Sequence, residues 1–240
     1  MAVVLVTGGN RGIGAACVDW FLQHGEQVAT TYRSEDAPAP ERAGPQTFLP
    51  VRCDVTDADA VEHLFATIES TWGPVEVLVA NAGVTRDTLM LRMSEKDFTD
   101  VLDTNLTGAF RVAKRAVAKM LRLHTGRIIL MSSVGAYVGL PGQANYAASK
   151  AGLVGMARAI AREVGSRQIT VNVVAPGVIE SDMTAALGTE RIALMTSQIP
   201  LGRTGTASDV AAVVGFLASD AAAYVTGAVI PVDGGLGMGL

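Results

Sequence analysis

Residues 145 to 150 read N-Y-A-A-S-K, which sets a phenol and an ammonium four positions apart with two alanines and a serine between them. On a helix, four residues is a little more than one turn, so Tyr146 and Lys150 share a face with their side chains adjacent. A cation beside a phenol lowers its pKa. A tyrosine, ordinarily near pKa ~10, then becomes usable as a proton donor and acceptor around neutral pH. The pair by itself fits equally an amphipathic helix with a half-buried tyrosine and a lysine reaching for solvent. The rest of the chain has to decide.

A second stretch with chemical meaning is T-G-G-N-R-G-I-G, residues 7 to 14. Gly8, Gly12 and Gly14 fall as G-x-x-x-G-x-G between an apolar run and a helical pattern, with Asn10, Arg11 and Ile13 among them. Glycines there permit a tight turn and close backbone approach, and the helix that follows offers its N-terminus to a pyrophosphate. The end of the second apolar run then indicates which dinucleotide is bound. Where an acidic residue would hold the adenosine ribose, the chain reads V-A-T-T-Y-R and places Arg33. Arginine suits a 2′-phosphate, with Arg11 and Asn10 facing it, so the expected cofactor is NADP(H), although Glu35 and Asp36 follow closely.

These groups need a scaffold. Short β-branched runs recur at 3–6, 27–31, 48–51, 75–79, 127–131, 169–174 and 228–232, and read as buried parallel strands. Helical patterns fill most of the gaps, at 12–23, 57–71, 107–122, 146–165 and 206–218, with shorter pieces near 94–102 and 183–197. Strand alternating with helix predicts an α/β fold: one Rossmann-like domain over 1–240, a doubly wound parallel sheet of about seven strands with helices on both faces. Residues 34–46, rich in proline and charge, read as a surface loop.

Composition removes other classes. With 49% hydrophobic residues the chain can build a core, and a net charge of −4 argues against general nucleic-acid binding. The start, M-A-V-V-L-V-T-G-G, lacks the basic stretch and long apolar run of a secretory signal. Residues 211–230 are nearly long enough to span a bilayer, but Asp220 sits among them, so a buried helix followed by a strand is expected. Cys17 and Cys53 read as buried hydrophobes in a reducing cytoplasm. The histidines at 24, 63 and 124 share no ligand spacing, so no metal site is expected.

The glycine loop, A-N-A-G at 80–83, Ser133 thirteen residues before Tyr146, and Y-A-A-S-K stand in one order. Together they resemble the short-chain dehydrogenase/reductase family over essentially the whole chain. The segments at 81–93, 143–152 and 171–184 resemble its bacterial 3-oxoacyl-[acyl-carrier-protein] reductases, and the P-V-D-G-G-x-G-M-G ending is similar to that of actinobacterial versions. The resemblance implies NADPH-dependent reduction of a 3-oxoacyl thioester to the (R)-3-hydroxy thioester in fatty-acid synthesis, by a cytoplasmic homotetramer whose partner is acyl carrier protein. Acetoacetyl-CoA, a polyketide β-ketone or another ketone or free alcohol is the alternative substrate, and a non-catalytic NADP-binding regulator the alternative class.

The same resemblance implies roles for individual residues. Tyr146 is the general acid, Lys150 lowers its pKa and bonds the nicotinamide ribose, and Ser133 donates to the substrate oxygen. Asn105 holds a water beside the lysine, though as a bare asparagine it could cap the helix at 107. Asp54 and Val55 flank the adenine, Asn81 and Gly83 the adenosine side, and Val178 and Ile179 the nicotinamide amide. Gln143, Tyr137 and Val138 stand at the substrate mouth, and 178–200 forms a lid over the acyl chain. Ser132 departs from a glycine common in relatives. Arg127 and Arg167 are expected near the rim of the entrance, with His124 and Arg122 completing a basic docking patch.

Overall fold

The computed structural model describes residues 1–33, 44, 46–180 and 189–238, the side chains of 189–191 excepted. Its centre is a strand of pure aliphatics, β1 (Val3–Val6), buried at every position. It pairs in parallel on one side with β2 (Gln27–Tyr32) and on the other with β4 (Val77–Ala80). β3 (Phe48–Arg52) lies beyond β2, and β5 (Gly126–Met131), β6 (Ile169–Pro176) and β7 (Val229–Val232) follow β4. The order is β3-β2-β1-β4-β5-β6-β7. Because the chain winds outward in both directions from β1 and β4, the crevice between their carboxyl ends is where such sheets bind ligands.

One face of the sheet is covered by α1 (Gly12–Gln23) and helix 207–218, which bury Cys17, Val18, Phe21, Val210, Val214 and Leu217 against it. Gly215 lets the two helices meet, since a Cβ there would collide with the Trp20 ring. On the other face lie α2 (Ala58–Thr71), α4 (Gly108–Leu123) and α6 (Ala144–Val164), packing Leu64, Phe65, Ile68, Val112, Met120 and Leu153. Each such side chain contributes about 1.5–3 kcal/mol by leaving water. Helix starts are fixed locally: Asp57 accepts from the amides of Asp59 and Ala60, and Thr206 and Asp209 form a reciprocal cap.

The expected elements are present, with one change of substance. The patterns at 94–102 and 107–122 belong to one unbroken helical path: α3 (Glu95–Leu102) passes through a π turn, Asp103–Thr107, into α4. A one-turn helix, α5 (Gly135–Val138), also lies between β5 and α6. Of the expected loop at 34–46 only residues 44 and 46 are described, and of the helical piece near 183–197 the part Thr189–Thr196 is α7. Residues 211–230 divide into the end of α8 (Ala207–Ala218), a turn at Asp220–Ala222 and the approach to β7. Among the described residues no helix is long and apolar enough to cross a membrane, and no three His, Cys, Asp or Glu residues cluster to hold a metal.

Candidate active site

A cavity of about 610 Å³ opens at the carboxyl ends of the strands. One end is built by the glycine loop. Gly8 and Gly12 have φ of +67° and +53°, which L side chains rarely adopt, and a Cβ on Gly14 would collide with the Gly8 carbonyl. Asn81 pins that carbonyl and the Thr7 carbonyl at 3.1 and 3.0 Å through its side-chain amide. Arg11 occupies the cap position of α1 without a side-chain cap bond, so the first-turn amides remain available to an anion in the cavity. Asn10 and Ile13 line the same end.

Arg33 stands exposed on the cavity's rim at the end of β2. Asp54 and Val55 form the neighbouring wall. The Asp54 carboxylate is turned onto Thr56, accepting from its amide at 2.9 Å and its hydroxyl at 2.8 Å. Gly83 and Ile179 continue the wall, whereas Val178 is buried behind it with its carbonyl bonded to Gly205. A backbone cradle, an open helix start and arginines at one end fit a phosphate-bearing dinucleotide.

The other end holds the expected pair. Tyr146 and Lys150 share the first turns of α6, with Nζ 5.7 Å from the phenol ring centroid. Lys150 is 5% exposed, and its ammonium donates to the Met131 carbonyl at 2.6 Å. Burial without a counter-charge pulls its pKa down to about 8. The phenol departs from expectation. Its pKa is raised, chiefly by burial and further by the Asp87 charge, against a hydrogen bond from Ser133 that favours the phenolate. The neighbouring lysine is itself desolvated, with its ammonium turned onto a backbone carbonyl.

Asn105 sits in the π turn, 1% exposed. Its carbonyl oxygen accepts from the Val84 amide at 2.8 Å, and its amide donates to the Val84 carbonyl at 3.0 Å and the Ser149 hydroxyl at 3.1 Å. It is therefore no helix cap: the backbone runs helically through it, and its side chain locks the loop after β4. That loop brings Gly83 against it; a Cβ there would lie 3.1 Å from Asn105 and 3.5 Å from the Lys150 nitrogen. Ser132 donates to the Lys150 carbonyl at 2.9 Å and ties β5 to α6.

Around the substrate side the outcome is mixed. Gln143 donates to Asp87 at 2.8 Å, and Val138 is exposed. Tyr137 does not face the mouth: its ring packs on the core and its hydroxyl looks toward Ser132 and Arg158, because the single turn of α5 directs it back onto α6. Of the expected lid, 181–188 lies outside the described residues, while Ile179 and Ile199 are buried. Arg127 and Arg167 are not at the rim of this chain's entrance. Arg127 opens β5 at the amino end of the sheet, paired with Asp220. Arg167 follows the 21 residues of α6, roughly 30 Å of helix from Tyr146, and contacts His124 at 2.8 Å.

Sequence reasoning passed over Asn145, Ser149 and Asp87. Asn145 is fully buried, accepting from the Tyr146 amide at 2.7 Å and donating to the Arg86 and Asp97 carbonyls. Ser149 donates to the Tyr146 carbonyl at 2.7 Å. Both lie within the quoted N-Y-A-A-S-K, where only their adjacency to the tyrosine marks them.

The fold and this site define a nicotinamide-dependent oxidoreductase: a family model described as enoyl-(acyl carrier protein) reductase matches residues 8–237, and the chain belongs to that family, the short-chain dehydrogenase/reductases. Among curated relatives, the 3-oxoacyl-[acyl-carrier-protein] reductase MabA of Mycobacterium tuberculosis is 54% identical over 237 residues, 98% of this chain and 93% of the relative. MabA of Mycobacterium avium is 51% identical over 236 residues, 98% and 90%. The 3-oxoacyl-[acyl-carrier-protein] reductase FabG of Staphylococcus aureus strain N315 is 46% identical over 240 residues, 98% and 97%.

Proposed function

We propose that the protein reduces 3-oxoacyl-[acyl-carrier-protein] to the (R)-3-hydroxyacyl thioester in fatty-acid synthesis, with NADPH as cofactor and as a homotetramer. The observation that carries the reading is one cavity holding phosphate-binding geometry at one end and the Tyr146–Lys150 pair at the other. The relatives named for this activity over nearly the whole chain support it.

Arg33 and Arg11 at the rim would hold the 2′-phosphate, and the amides opening α1 the pyrophosphate. Lys150 and the Gly83–Val84 loop bound the place for the nicotinamide ribose. When bound, the cofactor supplies the hydride to the ketone carbon. Tyr146 gives its hydroxyl proton to the ketone oxygen as the carbonyl π pair moves onto it, and Ser133 donates a hydrogen bond to the same oxygen. A phenol whose pKa is raised is protonated throughout the neutral range, as an acid in the reducing direction must be. Lys150 stands beside the resulting phenolate and stabilises it. Asn105, bonded to Ser149 and the Val84 backbone, holds the route by which the proton is replaced.

The test is NADPH oxidation with 3-oxoacyl thioesters on carrier protein and on CoA, over a series of acyl lengths. The reading expects higher kcat/KM on the carrier than on CoA. Equal use of free ketones and thioesters, or no hydride transfer at all, would overturn it.

A further inference from the structure

Three consecutive residues of the loop after β4 are bonded to three of the four residues that precede the catalytic tyrosine. The Arg86 carbonyl accepts from the Asn145 amide at 3.0 Å, the Asp87 carboxylate accepts from the Gln143 amide at 2.8 Å, and the Thr88 amide donates to the Gly142 carbonyl at 2.9 Å. Gly142 supports this clasp with φ of +86°. Asn145, the innermost member, also accepts from the Tyr146 amide at 2.7 Å, so the loop and the tyrosine backbone are mechanically one unit. Only one of the three bonds is made by a charged side chain, that of Asp87.

We propose that Asp87 is a positioning residue of the reaction: through the clasp it fixes Gln143 and the start of α6, and so the segment that carries Tyr146, against the loop after β4. The same carboxylate also opposes formation of an anion nearby, and its charge raises the Tyr146 pKa after burial has done so. Other charges near the phenol are Lys150, drawn toward the Met131 carbonyl, Asp97, whose carboxylate takes the Ser94 hydroxyl at 2.6 Å, and the exposed Arg86. Ser133 is neutral. Asp87 is exposed, so its influence passes partly through solvent and weakens as the screening length falls from ~10 Å at 0.1 M salt to ~3 Å at 1 M. The functional meaning, a site biased toward delivering a proton, rests on the reductase reading above.

The experiment is an ultraviolet titration of the Tyr146 phenol, taken as the difference between each protein and its Tyr146→Phe counterpart. It needs no turnover, so it stands or falls apart from the proposed activity. Asp87→Asn can still accept from Gln143 but lacks the charge; at low salt its phenol should titrate below that of the unmodified protein, and the gap should narrow at ~1 M salt. Asp87→Glu keeps the charge and should titrate with the unmodified protein. With a 3-oxoacyl thioester, the alkaline fall of kcat/KM should move down in Asp87→Asn by the same amount, and Asp87→Ala should in addition raise KM several-fold. Coincident titrations for Asp87→Asn and the unmodified protein overturn the electrostatic role. Equal displacement in the Asn and Glu variants overturns it too, by assigning the effect to packing. An unchanged KM in Asp87→Ala overturns the positioning of Gln143.

Discussion

Two cations at opposite ends of the sheet, Arg127 and Lys150, are treated in opposite ways. At the amino ends, cations and carboxylates meet: Arg127 holds Asp220 at 3.1 Å and the Gln168 carbonyl at 3.2 Å, and Glu26 takes the Ala2 amide. At the carboxyl ends, Lys150 is buried with its ammonium on the Met131 carbonyl, and among the described residues no carboxylate pairs with it. A paired surface charge serves to fasten the chain where it stands. An unpaired, desolvated one is moved toward neutrality, where it can respond to what enters the cavity. Of these two cations, Arg127 is structural and Lys150 stands where the cavity can use it.

Removing a working group should have the largest effect. Tyr146→Phe lacks the proton donor and should lose about 10²–10⁴ in kcat with Tm nearly unchanged; a folded variant with near-normal turnover would end the general-acid assignment.

Next in size is the cost of holding Lys150 without a partner. Its folded pKa, about 8, lies below its ordinary 10.5, so between these values the unfolded chain binds a proton that the folded one does not. Stability should therefore rise with pH from about 8 upward, by about 3 kcal/mol at most. Cys17 and Cys53 act in the opposite sense. Burial pushes their thiols from 9.0 up to about 12 and about 11, so the unfolded chain loses its protons first and stability falls above pH 9. Denaturant midpoints across pH 8 to 9 should rise in the unmodified protein and be flat in Lys150→Met.

A smaller effect is expected at the cavity's far rim. Arg33→Asp should narrow or reverse a preference for NADPH over NADH of at least tenfold in kcat/KM, because a carboxylate suits a ribose hydroxyl and repels a phosphate. Equal use of both cofactors by the unmodified enzyme would remove Arg33 from the site. Smallest of all is Asp220→Asn at the opposite end. Asp220 is fully exposed, so Tm should move by no more than about 1 °C and kcat not at all.

The contrast also accounts for what could be read in advance. Strands such as Val3–Val6 and Ile169–Pro176 are buried on both faces, so their composition alone announces them, and the glycine loop and Y-A-A-S-K are short enough to carry their chemistry within a few residues. The clasp between 86–88 and 142–145 joins segments more than fifty residues apart, and nothing local in T-R-D-T signals it. The tyrosine's pKa went the wrong way for a related reason. Sequence spacing shows a lysine beside a phenol, but desolvation depends on everything else packed there. Arg167 was misplaced because reading a helix as a neighbourhood ignores its length.

The π turn at Asp103–Thr107 has a consequence for how this chain can evolve. Such a turn uses one more residue than an α turn for the same bond closure, and it is intrinsically the weaker arrangement. Deleting one residue within it would let α3 and α4 merge into a regular helix, a change that favours the helix locally. It would also rotate position 105 away from Val84 and Ser149, dissolving the lock on the loop that walls the cavity. The surplus residue thus costs local stability, and a deletion there would exchange the lock on the loop for a more regular helix.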